Sequence, residues 1–430
     1  MDPLLLIVLI LGSFLVLIVL RVPVGLAIII PALPIGLFLG FNPIEILFRF
    51  KTPLENSALL AIFTFIALGV FMEKAGIAEA LVGFVDSIIG FISGGLGITV
   101  VIASAFYGAL TGSVTGTIAA IGSITIPQMS KRGYPGPFSA AVAACAGILG
   151  SLIPPSIAAI IYGVLTNTSI VSLFMAYLGP GLVYTMLLSL AVYLVSRRKG
   201  YKGHGVKATP LEAVKSFVRI IPALLIPVAV LGCIYLGVTS STESGILGTA
   251  LTVIIGLSYY HMKPKVLIES VQQTILVTGM IMFIVCSSFA LSYIVAYMGL
   301  LRATAGFITG LSSQLWVSLL AVNILLLIVG MFLEGAAILV LLAPTIHQML
   351  TTAGMDPLQV SSIVVFTGMV GFLTPPIGTA LFTAAGVSGE RVESIVSHEP
   401  PLFAASVVTL LLVNLVPAIS VFIPHSLGLY

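Results

Sequence analysis

Charge is the scarcest property of this chain. Its 430 residues include 17 Lys and Arg and 14 Asp and Glu, or 7%, where an ordinary soluble domain carries roughly 25%. A soluble core has no room for the complementary 59% of hydrophobic residues, and the mean hydropathy is +1.24. The chain therefore reads as an all-α polytopic membrane protein. Cysteine is almost as rare. Cys145, Cys233 and Cys286 all fall in apolar stretches and read as packing residues, with neither a disulfide pattern nor metal-ligand spacing. His204, His261, His347, His398 and His425 are scattered and suggest no metal site. No HExxH, no plausible Ser–His–Asp order and no intramembrane aspartate pair is present, so no catalytic site is expected. The Gly-rich segments lack the Gly-Lys-Ser/Thr of a phosphate loop, which excludes ATP as the energy source for this chain alone. Ion gradients remain: one positive charge crossing ~100 mV gains about 2.3 kcal/mol. No nucleic-acid partner is expected.

Long apolar runs are abundant. A crossing helix needs about 20 apolar residues, and full spans are predicted over 4–20, 24–40, 57–72, 138–165, 172–195, 217–238, 243–260, 274–298, 359–387 and 401–422. The start, Met-Asp-Pro followed by Leu4–Leu20, lacks the basic region and cleavage site of a signal peptide, so a retained first helix is expected. The mixed segments 42–56, 74–91 and 263–273 predict interfacial helices.

Two apolar runs say the same phrase: Gly150-Ser-Leu-Ile-Pro-Pro-Ser156 and Gly371-Phe-Leu-Thr-Pro-Pro-Ile377, with first prolines Pro154 and Pro375 lying 221 residues apart. Proline removes a backbone N–H and clashes with the preceding turn. In lipid, a broken backbone is tolerated only where protein or a cavity satisfies it. Two more runs, 97–129 and 315–349, are interrupted at Thr111-Gly112-Ser113 and at Gly330–Gly335. Each half-run is about 15 residues, so both read as re-entrant hairpins, the alternative being two short tilted spans apiece. The 221-residue offset carries one hairpin break onto the other and defines two repeats, 24–170 and 243–390. Spans 171–242 and the C-terminal 399–430 lie outside them.

Basic residues orient the chain. The run Arg197, Arg198, Lys199, Lys202, Lys207, Lys215 and Arg219 predicts a basic loop, 197–219, in the cytoplasm. The loop 351–357 has no Lys or Arg and suits the opposite side. The hairpins then enter from opposite faces, and the repeats are inverted.

Interrupted helices in matching halves point to a transporter's binding site. Half-helix N-termini favour anions, whereas freed carbonyls and Ser or Thr hydroxyls favour a hard cation. One expected Na⁺ site combines the tip residues Gly112, Ser113 and Thr115 with Gly150, Ile153 and Pro155. The other combines Gly330 with Gly371, Thr374 and Ile377. Glu334 is the only acidic residue between Glu269 and Asp356. A charge there costs at least about 2.5–3.5 kcal/mol, so it is a functional candidate, with helix capping as the bland alternative. Ser240-Ser-Thr-Glu243 predicts a capping box.

The runs Phe106-Tyr-Gly-Ala-Leu-Thr-Gly-Ser113, Ala119-Ala-Ile-Gly-Ser-Ile-Thr-Ile-Pro-Gln-Met129, Ile153-Pro-Pro-Ser-Ile157, Leu178-Gly-Pro-Gly181, Gly330-Met-Phe-Leu333 and Leu373-Thr-Pro-Pro-Ile-Gly378 resemble the large membrane subunit of tripartite ATP-independent periplasmic (TRAP) transporters over nearly the whole chain. The resemblance implies Na⁺ symport of an organic acid, chiefly a C4-dicarboxylate or sialic acid, by an elevator movement in the bacterial inner membrane. It implies two partners, a small membrane subunit and a periplasmic substrate-binding protein. It places the cations on the residues above and the substrate near Ser113, Ser156 and Glu334. Two positions depart from the family: the tip commonly has two serines where this chain has Ser113-Val114, and position 334 is usually Asp. Thr115 or Thr117 is the candidate replacement hydroxyl. A stand-alone carboxylate or anion carrier and an intramembrane enzyme are the competing functions.

Overall fold

The computed structural model describes residues 9, 12–14, 16–17, 20, 22–55, 57–201, 203, 209–297 and 315–429. Most of the predicted first span, Lys202 and Lys207, and the end of the 274–298 span lie outside the described residues.

The described residues form helices throughout. In the first half they are α1 (Val24–Phe38), α2 (Pro43–Lys51), α3 (Ser57–Lys74), α4 (Ile77–Ile89), α5 (Gly95–Thr111), α6 (Val114–Lys131), α7 (Gly136–Gly147), α8 (Leu149–Leu152) and α9 (Ile157–Thr166). Two long helices follow, α10 (Ile170–Lys199) and α11 (Pro210–Tyr235). The second half holds α12 (Ser241–Ser258), α13 (Pro264–Tyr297), α14 (Leu315–Gly330), α15 (Gly335–Thr352), α16 (Pro357–Gly371) and α17 (Thr379–Ser388). The chain ends in α18 (Val392–His398), α19 (Pro400–Leu415) and α20 (Ala418–Ser426). Adding 221 to the bounds of α6 gives those of α15, and adding it to the starts of α2 and α7 gives the starts of α13 and α16.

Local chemistry sets many of these boundaries. Ser240 accepts from the Glu243 backbone N–H while Glu243 Oε2 accepts from the Ser240 N–H at 2.7 Å, the predicted capping box. Thr209 and Glu212 build a second box at the start of α11. Asp356 accepts from Leu358 and Gln359 N–H to open α16, with Pro357 in the first turn.

Three expectations need correction. The predicted connector 263–273 and span 274–298 are one 34-residue helix, α13. Its first-half counterpart is interrupted by a 3₁₀ turn, Thr52–Glu55. The interruption contains Pro53, whereas the equivalent position in α13 is Thr274, so only the first half loses a helical hydrogen bond there. The predicted C-terminal span 401–422 is two helices, because Pro417 disfavours helical geometry at Val416 (φ −122°, ψ 88°). The basic stretch 197–219 is mostly helical: α10 runs through Lys199 and α11 starts at Pro210.

Length does not separate hairpins from crossings. The four hairpin helices run 17, 18, 16 and 18 residues rather than about 15. Among the described residues, Gly335–Thr352 is one of five helices long and apolar enough to cross a membrane, or of up to eight spans if each bent pair counts as one.

The halves interlock. α9 of the first half packs on α15 of the second, and α17 of the second packs on α6 of the first. Tyr162 Oη on α9 and His347 Nδ1 on α15 are hydrogen-bonded at 2.8 Å. α3 and α13 lie against this core, α3 touching α9 and α13 touching α15. This exchange brings the breaks of both halves to the centre.

Candidate binding site between the helix breaks

The first tip is a two-residue turn. Gly112 ends α5 in the left-handed region (φ 62°) and Ser113 caps α6 by accepting from Gly116 N–H. A side chain at Gly112 would meet the Pro155 carbonyl at 3.0 Å and Ile157 N at 3.1 Å. Opposite it, α7 and α8 stop at Leu152, and α9 leaves after Ser156 at 44° to the incoming pair. The Pro154–Pro155 peptide within this break is cis, as is Pro375–Pro376 in the other. A Cβ at Gly150 would collide with the Ser113 carbonyl oxygen and lie 2.6 Å from Thr117 Oγ1. Tip and break thus touch backbone to backbone, and they bring carbonyl and hydroxyl oxygens together.

The second junction is built alike. A Cβ at Gly371 would sit 2.6 Å from Gly330 Cα and 3.0 Å from the Leu327 carbonyl. Gly378 N–H donates to the Met331 carbonyl at 3.0 Å, tying the tip to the broken stretch 372–378. Thr374 donates to the Val370 carbonyl at 3.4 Å, and Ile377 is exposed.

Two adjoining cavities, of about 350 and 180 Å³, lie between the tips. Ser113, Thr115, Ile157, Ile281 and Glu334 line both. The smaller is reached by the first residues of four helices: Val114 of α6, Ile157 of α9, Gly335 of α15 and Thr379 of α17. Each N-terminus carries roughly +0.5 charge and unsatisfied N–H groups. Thr379 Oγ1 is buried there with no hydrogen-bond partner. The larger cavity is walled by α3 and α13, which contribute Glu73 and Gln273.

The predicted residues divide between these places. Gly112, Ser113, Thr115 and Glu334 line the cavities. Gly150, Ile153, Pro155, Gly330, Gly371, Thr374 and Ile377 lie in the two tip-and-break regions and line neither cavity. Ser156 is fully buried and also outside the lining: its hydroxyl donates to the Ser151 carbonyl at 2.6 Å and accepts from Ala159 N–H. Glu334 occupies the N-cap position of α15, but its carboxylate makes no capping hydrogen bond. Both candidate replacement hydroxyls are at the first tip. Thr115 Oγ1 is 3.3 Å from Ser113 Oγ, and Thr117 Oγ1 is 3.1 Å from Thr111 Oγ1 beside Gly150.

Sequence reasoning does not single out Glu73 or Gln273. In sequence, Glu73 borders Lys74 where a span meets a polar connector, and Gln273 closes another connector. The signal that marks Glu73 is a carboxylate in the last turn of an otherwise apolar helix.

Apolar helices interrupted at a shared cavity lined by hydroxyls, carboxylates and helix starts are the architecture of a membrane transport protein. The model of the tripartite ATP-independent periplasmic transporter DctM component matches residues 11–419, and the chain belongs to that family. The C4-dicarboxylate TRAP transporter large permease DctM of Pseudomonas aeruginosa is 35% identical over 87% of this chain and 88% of its own length. The isethionate TRAP transporter permease DctMQ of Oleidesulfovibrio alaskensis is 34% identical over 86% of this chain, which spans 59% of that protein. The sialic acid TRAP transporter large permease SiaM of Vibrio cholerae is 30% identical over 86% of this chain and 87% of its own length. Among solved structures, the Alcanivorax borkumensis YdaH transporter superposes with a TM-score of 0.55, covering 84% of this chain and 88% of that one at 15% identity, a likeness of fold. The chain is thus a transporter component, not an enzyme.

Proposed function

We propose that this chain is the large membrane subunit of a Na⁺-coupled importer of an organic acid. The convergence of four helix N-termini on one cavity carries the proposal, since such termini favour an anionic group without a fixed basic side chain. No Lys, Arg or His lines either cavity among the described residues, which leaves helix ends and coupling cations to balance the substrate's charge. The Ser113 and Pro155 carbonyls with Thr117 Oγ1 at the first junction, and the Leu327 and Gly368 carbonyls at the second, are hard oxygen donors suited to Na⁺. The substrates named for the relatives, a C4-dicarboxylate, sialic acid and the sulfonate isethionate, share an acidic group and widen the class beyond carboxylates.

A small membrane subunit and a periplasmic binding protein complete the system in a bacterial inner membrane. Transport proceeds by an elevator movement of the hairpins and broken helices against α3, α13 and the outer helices. Proteoliposomes holding the chain and its small subunit should take up the acid only with an inward Na⁺ gradient and the binding protein present. Uptake by the chain alone would establish the stand-alone carrier instead, and uptake indifferent to Na⁺ would remove the coupling.

A further inference from the structure

The two cavities share the starts of α6 and α9 and the Glu334 carboxylate, but the starts of α15 and α17 line only the smaller and Glu73 lines only the larger. The smaller is rimmed by helix N-termini. The larger holds two carboxylates, Glu73 on α3 and Glu334 at the second tip, with the Gln273 amide and the hydroxyls of Ser113, Thr115 and Thr383. Glu73 Oε2 faces the first turn of α6, 3.6 Å from where a Cβ at Gly116 would stand. Neither carboxylate makes a hydrogen bond or ion pair among the described residues. Lys74, the nearest cation in sequence to Glu73, is paired with Glu269 at 3.8 Å.

Resting on the organic-acid reading above, we infer that the substrate is bipolar: an acid carrying a hydroxyl or ammonium group on its far side, which Glu73 selects. The acidic group lies at the N-termini of α6, α9, α15 and α17. Its distant end enters the larger cavity, where the two carboxylates accept hydrogen bonds and offer no donor while ionised. A bare dicarboxylate would present its second negative charge to Glu73, with like charges opposed across the cavity. A site that accepts a hydrogen bond from a substrate hydroxyl or amine rejects the analogue without it more strongly than an apolar pocket rejects a methylene. Glu73 is therefore a specificity residue supplied by the wall helix α3, facing the hairpin tips that hold the acidic end.

Matched acids test this whichever acid is the natural substrate. The full-length chain, purified with its small membrane subunit in saturating Na⁺, is titrated calorimetrically with succinate and with two series: propionate, 3-hydroxypropionate and β-alanine, then ethanesulfonate, isethionate and taurine. Within a series the acids differ by one hydrogen, hydroxyl or ammonium group. The donor-bearing acids should bind at least about tenfold more tightly than the bare one in any series that binds. Glu73→Gln should shrink that ratio at least about threefold, with the subunits still co-purifying. Equal or tighter binding of propionate or ethanesulfonate than of their donor-bearing partners, or binding of succinate when no donor-bearing acid binds, overturns the bipolar substrate and leaves the organic-acid reading standing. A ratio unchanged in E73Q removes Glu73 as the selector. If N-acetylneuraminate, succinate and every acid in both series fail to bind, the organic-acid reading falls and this inference falls with it.

Discussion

Close backbone approach at the two junctions makes single methyl groups informative. Gly150→Ala places a Cβ against the Ser113 carbonyl and 2.6 Å from Thr117 Oγ1. Because the obstacle on one side is backbone, relief requires the tip to move, at a cost of about 1–3 kcal/mol. Melting of the purified protein should show this loss, and a Tm equal to that of the parent would mean the tip is loosely seated. Ser113→Ala removes the cap on Gly116 N–H, worth about 1 kcal/mol, together with a hydroxyl at the first junction. In proteoliposomes, Ser113→Ala and Thr374→Ala should each raise the Na⁺ concentration needed for half-maximal uptake while the subunits still assemble. An unchanged Na⁺ response would take that residue out of the cation site. Glu334→Ala should abolish most uptake. The side chain makes no capping bond, so wild-type uptake in this variant would leave the carboxylate without a role at the cavity.

At the level of elements, most boundaries obey rules visible in the chain itself. Pro-Pro pairs end α8 and the stretch after α16, Gly112 permits the left-handed turn, and Ser113, Ser156 and Asp356 cap α6, α9 and α16. The box at Glu243 is local in the same sense. Glu243→Ala should fray the start of α12 and leave transport rates unchanged; a transport defect at full assembly would give Glu243 a second function. The elements that depart from expectation do so for equally local reasons. Pro53 interrupts only the first half, so a connector and span separate there and fuse into α13 in the second. Val416-Pro417 divides the last helix. The hairpin helices, at 16 to 18 residues, outrun their apolar runs because apolar composition fades before the helix does.

Across the whole molecule, the two halves are related by sequence offset, and their orientation in the membrane is the larger prediction. In a variant lacking Cys145, Cys233 and Cys286, a cysteine at Lys199 should react with an impermeant thiol reagent only from the cytoplasmic side. One at exposed Thr352 should react only from the opposite side. Labelling of both from one side would end the inverted arrangement. The amino-acid sequence alone determined the membrane setting, the paired breaks, the offset and the family, because composition, proline chemistry and charge placement act locally along the chain. It also marked Ser113, Thr115 and Glu334. Only the tertiary structure decided what these residues face. Packing α9 on α15 and α17 on α6 converges four helix starts that are far apart in sequence. The same packing swings Glu73 and Gln273 from the edges of polar connectors to a shared cavity. Ser156 is spent locally instead, on the Ser151 carbonyl of α8 and the first-turn Ala159 N–H of α9. The reason is physical: a cavity's polarity is set by which surfaces meet across it, and no spacing within one helix encodes that meeting.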